Sequence, residues 1–193
     1  MSLTQQAHQA LSSHLETLGV KKFQFSIDAT CGNGFDTLFL AETTEETVFS
    51  FDIQAVAIQN TQQLLSKTVH ANKVQLIHQN HSEMLNYCQQ QHPTSVGKID
   101  AITFNLGYLP RADKSITTTA DSTIAALNAA SQLLSKNGVI SIICYRGHDG
   151  GLMESKTVLE WLSALKWHYT TVNSTVISDT TPFLLIITPN ETT

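Results

Sequence analysis

Between Leu3 and Leu18 the apolar residues Leu3, Ala7, Ala10, Leu11, Leu15 and Leu18 recur at helical spacing among polar ones, which predicts an amphipathic leading helix. The period then switches repeatedly between two residues and three to four. A short apolar run, Phe23 to Asp28, reads as a strand and Phe35 to Ala41 as a helix; Val48 to Asp52 and a helix from Ala55 to about Val69 repeat the unit. Val74 to His78, the helix Ser82 to Gln90 and the strand Ile99 to Asn105 follow, then a loop and a helix over Thr119 to Leu134. Lys136-Asn137-Gly138 reads as a helix stop, ahead of the strongest strand pattern, Val139 to Tyr145, and a helix over Leu152 to Leu165. His168 to Val176 and Phe183 to Thr188 are strand-like with only a polar turn, Ser178 to Pro182, between them, so they form a closing hairpin.

Five strand–helix units imply an α/β, doubly wound, mostly parallel sheet with right-handed crossovers and helices on both faces, to which the hairpin adds antiparallel pairing. A length of 193 residues suits one domain. With 41% hydrophobic and 14% charged residues the chain is a globule rather than a disordered tail, and no apolar run is long enough to span a bilayer. The first residues lack the features of a secretory signal, so a cytoplasmic location is expected. Cys31, Cys88 and Cys144 are odd in number and form no C-x-x-C pair, which favours plain thiols over disulfides or a zinc site; the scattered histidines likewise predict no metal. A net charge of −5 means that any nucleic-acid partner must meet a local basic patch.

The candidate chemistry lies at the carboxyl ends of the strands, where ligands bind in open α/β sheets. After the first strand stands Asp28-Ala-Thr30-Cys-Gly32-Asn33-Gly34-Phe-Asp36-Thr37. Gly32 and Gly34 permit a tight turn and close approach to a ligand, and Asp28 can accept from a ligand cation. Asp52, at the end of the second strand, suits both hydroxyls of a ribose, with Gln54 next to it; an ordinary helix cap is the alternative for Asp52. A dinucleotide site would use similar parts, but the third glycine of that fingerprint is missing, and Asp36 at the helix start would repel a pyrophosphate. Asn80, His81 and Ser82, after the third strand, are candidates for the adenine side, Ser82 reading equally well as a helix cap.

The fourth strand runs into a long loop carrying Asn105, Gly107, Tyr108, Pro110, Arg111, Asp113 and Lys114; the fifth runs into Tyr145-Arg146-Gly147-His148-Asp149-Gly150-Gly151. Long loops at this edge are usually functional. Asn105 offers an amide, Tyr108 and Tyr145 flat faces, and Arg111, Lys114, Arg146 and His148 would converge as the basic rim.

At these residues the sequence resembles a bacterial family of rRNA methylases related to the tRNA wobble-uridine aminomethyl methyltransferases. The resemblance rests on Asp28 to Gly34 with Asp36-Thr37, on Phe104-Asn-Leu-Gly-Tyr-Leu-Pro110 with Asp113 to Thr118, and on Tyr145 with Gly147-His148 and Gly150-Gly151, and it covers nearly the whole chain. It implies a Rossmann-like class I methyltransferase fold with a seven-stranded sheet. It also implies S-adenosylmethionine as cofactor, and methylation of the exocyclic amine of 5-aminomethyl-(2-thio)uridine in a tRNA anticodon loop. Asp28, Thr30, Gly32, Asn33, Gly34, Asp36, Thr37, Asp52, Gln54, Asn80, His81 and Ser82 would then serve the cofactor. Tyr108, Arg111, Lys114, Tyr145 and Arg146 would meet the RNA. An alkylamine must lose a proton before it attacks a sulfonium methyl, so Asp113 and His148 are candidate bases and Asn105 would hold the amine. Methylation of rRNA or a small molecule, and a nucleotide-binding module without catalysis, are the competing readings. A homodimer is the assembly entertained.

Overall fold

The computed structural model describes residues 1–110, 116–172 and 178–190. Among these residues six α-helices flank the sheet: α1 (Leu3–Leu18), α2 (Phe35–Thr43), α3 (Ala55–Leu65), α4 (Met84–Gln91), α5 (Ala120–Leu133) and α6 (Gly151–Leu165). The strands are β1 (Phe23–Asp28), β2 (Thr44–Asp52), β3 (Val74–His78), β4 (Ile99–Leu106), β5 (Leu134–Cys144), β6 (His168–Val172) and β7 (Phe183–Thr188). They form one seven-stranded sheet in the order β3-β2-β1-β4-β5-β7-β6, parallel from β3 through β5, with β7 antiparallel to both β5 and β6. The strand order reverses direction between β1 and β4, which opens the crevice that binds ligands in such sheets.

Alternation along the strands builds two cores. Ile102, Phe104, Ile140, Ile142, Leu185 and Ile187 join α4, α5 and α6 on one face. Ala101, Val139 and Val48 meet Leu11 and Leu15 of α1 and Leu40 and Ala41 of α2 on the other. Helix α1 begins at a capping box, Ser2 accepting from the Gln5 N–H while the Gln5 side chain accepts from Ser2, and ends at Gly19 in the left-handed region. The three thiols are free and buried, and burial raises each above the ordinary thiol range. Among the described residues no helix is long and apolar enough to cross a membrane.

Three boundaries differ from the sequence reading for local reasons. Gly138 is not a helix stop: α5 ends at Leu133, the chain passes directly into β5, and Gly138 lies inside that strand. A Cβ at Gly138 would sit 2.6 Å from Leu134 Cγ and 2.9 Å from the Ile99 carbonyl oxygen, so close approach explains the glycine. Strand β2 starts at Thr44 rather than Val48, because the Thr44 hydroxyl pairs with the buried Ser26 hydroxyl of β1 at 2.7 Å. Helix α3 stops at Leu65 because Ser66 and Thr68 turn their hydroxyls onto the Gln63 and Leu65 carbonyls. The hairpin is present, although residues 173–176 of its expected first strand lie outside the described residues.

Candidate active site

A cavity of about 490 Å³ opens above the carboxyl ends of β1, β2, β4 and β5. Its floor is the loop after β1. Gly32 and Gly34 both have left-handed backbones, φ +52° and +84°. At Gly34 a Cβ would also lie 3.0 Å from the Thr61 Cα of α3, so this helix start packs where only glycine fits. Asp52 faces the cavity and holds the loop: its Oδ2 accepts from the Gly32 N–H at 3.0 Å and its Oδ1 from the Gln54 N–H at 2.9 Å. Burial raises the Asp52 carboxyl above the ordinary carboxylate range, opposed by those two N–H groups. Each carboxylate oxygen keeps a further lone pair for a ligand hydroxyl.

Of the residues the sequence assigned to the cofactor, Thr30, Gly32, Asn33, Asp36, Asp52, Gln54, Asn80 and His81 line the cavity. Asp28, Gly34, Thr37 and Ser82 lie behind or beside that lining. Asp28 is wholly buried; it accepts from the Thr37 hydroxyl at 2.6 Å and the Thr30 N–H at 3.2 Å, bracing the loop from behind. Its carboxyl is pushed up to about 7, by burial first and by the neighbouring Asp36 second. Ser82 gives its N–H to the Asn80 side chain, so Asn80 is the cap of the turn that follows β3. Burial lowers His81 to about 4, which makes the ring a neutral wall residue at pH 7.

The other wall is built by β4 and β5. Asn105, the penultimate residue of β4, donates its N–H to the Thr30 hydroxyl at 2.7 Å and its side-chain Nδ2 to Asp36 Oδ2 at 2.6 Å. Thr30, where many nucleotide loops carry glycine, therefore ties the first loop to the fourth strand. A pairing between Tyr108 and Thr117 draws the next loop together. Arg111, Asp113 and Lys114 lie outside the described residues. Tyr145 and His148 reach the same cavity, the His148 ring standing edge-on to Tyr108 with centroids 5.9 Å apart. His148 Nδ1 bonds the Asp149 carbonyl, and its buried Nε2 has no hydrogen-bond partner among the described residues. Arg146 lines the cavity too, but it is not an open rim cation: at 9% exposure its guanidinium donates to the Ser178 carbonyl, lies 3.6 Å from Asp179 Oδ1 and covers the Phe183 ring.

Two residues of α1 belong to this site and escape a reading by motif. His8 Nε2 lies 2.6 Å from Asp36 Oδ1, its ring stacked flat on Phe39. Thr4 lines the cavity beside Tyr145, whose hydroxyl is raised by burial first and by Asp36 second. The available signal is that Thr4 and His8 are four apart and share the helix side that carries Leu11. Glu154 of α6 was missed as well; it is buried and accepts from the Thr118 and Thr123 hydroxyls at 2.9 and 2.6 Å.

A model of the family described as "Putative rRNA methylase" matches residues 48–188. The chain belongs to that family. Its fold is that of class I S-adenosylmethionine-dependent methyltransferases, as the sequence reading expected. The structure of a "putative rRNA-methylase" from Clostridium thermocellum has a TM-score of 0.85 with this methylase, 35% identity and 98% coverage of both chains. A putative methyltransferase from Streptococcus mutans, solved in complex with SAH, has a TM-score of 0.77, 31% identity and 97% coverage of both chains. Among curated proteins, the chloroplastic tRNA (mnm(5)s(2)U34)-methyltransferase of Arabidopsis thaliana is 36% identical over 156 residues, 76% of this chain and 55% of its own. The rRNA-methylase chain thus spans about half the length of that relative.

The residues present fit the cofactor class. A cavity with Asp36 and Asp52 in its wall and a left-handed glycine at its floor suits a nucleoside joined to a cationic amino acid, and is poorly suited to a polyanion.

Proposed function

We propose that the protein methylates RNA with S-adenosylmethionine, and that its acceptor is the exocyclic amine of 5-aminomethyl-(2-thio)uridine at the tRNA wobble position. The bound cofactor supplies an electrophilic sulfonium methyl; the chain supplies position and polarity. Asp52 accepts from the ribose hydroxyls, Gln54, Asn80 and neutral His81 border the adenine, and the Gly32 loop receives the amino-acid end. The observation that carries the reading is Asn105, fixed at the end of β4 by two hydrogen bonds while it lines the cavity. Its amide oxygen accepts an N–H of the acceptor amine and orients the nitrogen lone pair toward the methyl donor; such alignment contributes up to ~7–11 kcal/mol in favourable reactions.

Tyr108 and Tyr145 offer faces for the uracil ring, and the resemblance to a tRNA wobble methyltransferase supports an anticodon loop as the RNA. The amine's extra proton leaves to His148, whose Nε2 has no partner among the described residues, or to Asp113. The test is nucleoside mass spectrometry. Purified protein, S-adenosylmethionine and tRNA bearing the unmethylated aminomethyl group should yield a uridine with one added methyl. Methyl incorporation into rRNA alone, or none into either RNA while the cofactor binds, would overturn the proposal.

A further inference from the structure

The contact between α1 and the end of β4 runs through one carboxylate. Asp36, 6% exposed, takes Asn105 Nδ2 on one oxygen and His8 Nε2 on the other, each at 2.6 Å. An ionised carboxylate only accepts hydrogen bonds, so it selects the nitrogen end of the Asn105 amide and turns Oδ1 away from itself. The Thr30 hydroxyl fixes the backbone of the same residue, which leaves the amide one orientation. The stack of His8 on Phe39, centroids 4.1 Å apart and planes 4° apart, holds the imidazole in turn.

We propose that Asp36, held by His8 of helix α1, is a positioning residue for methyl transfer that locks the Asn105 amide with its oxygen toward the acceptor amine. This inference rests on Asn105 being the anchor of that amine. In the reaction, positive charge passes from the sulfonium to the attacking nitrogen. A carboxylate bonded to the far end of the amide draws electron density toward Oδ1 and makes it a better acceptor for an N–H that is becoming cationic. Because the arrangement is complete before substrate arrives, no reorganisation is spent at the transition state. Helix α1 is then part of the catalytic apparatus, although His8 and Asp36 both precede the residues that the family model matches.

The experiment pairs kinetics with a signal from Asn105 itself. In an amide nitrogen–proton spectrum, the Asn105 side-chain pair is assigned by its loss in Asn105→Asp. In the wild-type protein one of its protons should lie downfield, as expected for a bond to a carboxylate; it should return to the ordinary asparagine position in Asp36→Asn and move partway in His8→Ala. In steady-state methylation of the aminomethyl-uridine tRNA at saturating S-adenosylmethionine, Asp36→Asn should lower kcat by ~10-fold or more while the KM for tRNA changes little. His8→Ala should follow in the same direction. His8→Gln, which can place an amide nitrogen where Nε2 stood, should restore both the signal and much of kcat. Unchanged Asn105 resonances or wild-type kcat in Asp36→Asn would overturn the inference, as would equal loss in His8→Ala and His8→Gln. A wild-type protein inactive on that tRNA would instead overturn the substrate reading, and the Asn105 resonances would still decide whether the lock exists.

Discussion

Asp28 shows how far one carboxylate's role depends on its burial. From the sequence it stands at a strand end before a glycine-rich turn, where a ligand contact is the natural reading; in the structure it is sealed beneath the turn and braced by Thr37 and Thr30. Its pKa is raised from 3.8 to about 7, so between those values the native state holds a proton that the unfolded state releases. Stability drawn from the buried neutral acid is thus full below about pH 4 and lost as pH rises toward 7. Asp28→Asn stays neutral and can still accept from Thr30 and donate to Thr37. Its melting temperature relative to wild type should rise between pH 5 and pH 8, by ~2–4 °C for each kcal/mol relieved. A difference independent of pH would contradict this account. The glycines and Asp52 were legible because left-handed turns and strand-end acidic residues leave local marks. Asp52→Ala should weaken S-adenosylmethionine binding by ~10–150-fold in calorimetry.

The elements were legible wherever period and length agreed: the bounds of α1, β1, β3 and β7 match the sequence pattern. The failures arise where one residue serves two masters. Gly138 carries the mark of a helix stop yet answers to a strand neighbour, since the contact that demands it is with Leu134 and Ile99. His8 and Glu154 were illegible for a related reason: their partners lie 28 and at least 31 residues away in sequence. Glu154 fastens three elements, joining α6 to the start of α5 and to Thr118 at the end of the loop after β4. Glu154→Ala leaves two inward hydroxyls without their acceptor, at a cost of about 1–3 kcal/mol. Urea unfolding should show a lower midpoint at an unchanged slope. The same variant should raise the KM for RNA more than that for S-adenosylmethionine, because the loop it tethers carries Tyr108, to which the proposed function gives the uracil ring. A wild-type midpoint would show that Glu154 bears no such load.

Over the whole molecule, charge is distributed in a way that composition alone hides. Seven of the eleven Lys and Arg residues, Lys21, Lys22, Lys67, Lys73, Lys98, Lys136 and Lys166, stand on segments at the amino ends of the strands, opposite the cavity. Some are already engaged there, Lys22 with Glu45 and Lys73 with the Thr44 carbonyl. Arg111, Lys114 and Arg146 stand on the loops that follow β4 and β5, with Lys156 further along on α6, and the Arg146 guanidinium is partly occupied by Ser178 and Asp179. An anticodon loop approaching this end would therefore meet few cations. For single-stranded RNA each neutralised phosphate contributes a slope of ~−0.7 to log K against log salt, so three contacts set a ceiling near ~−2. Recognition must then lean on stacking, for which Tyr108, Tyr145 and the 65% exposed Phe35 line the opening, at ~1–3 kcal/mol per stacked base. Fluorescence titration of an anticodon stem-loop across salt concentrations should give a slope of about −2 or shallower. Arg111→Ala should flatten it by about 0.7, and Phe35→Ala should weaken binding equally at every salt concentration. A slope of about −4 or steeper would mean that more phosphates are held than these three cations can reach, and would place the RNA across the lysine-bearing end as well.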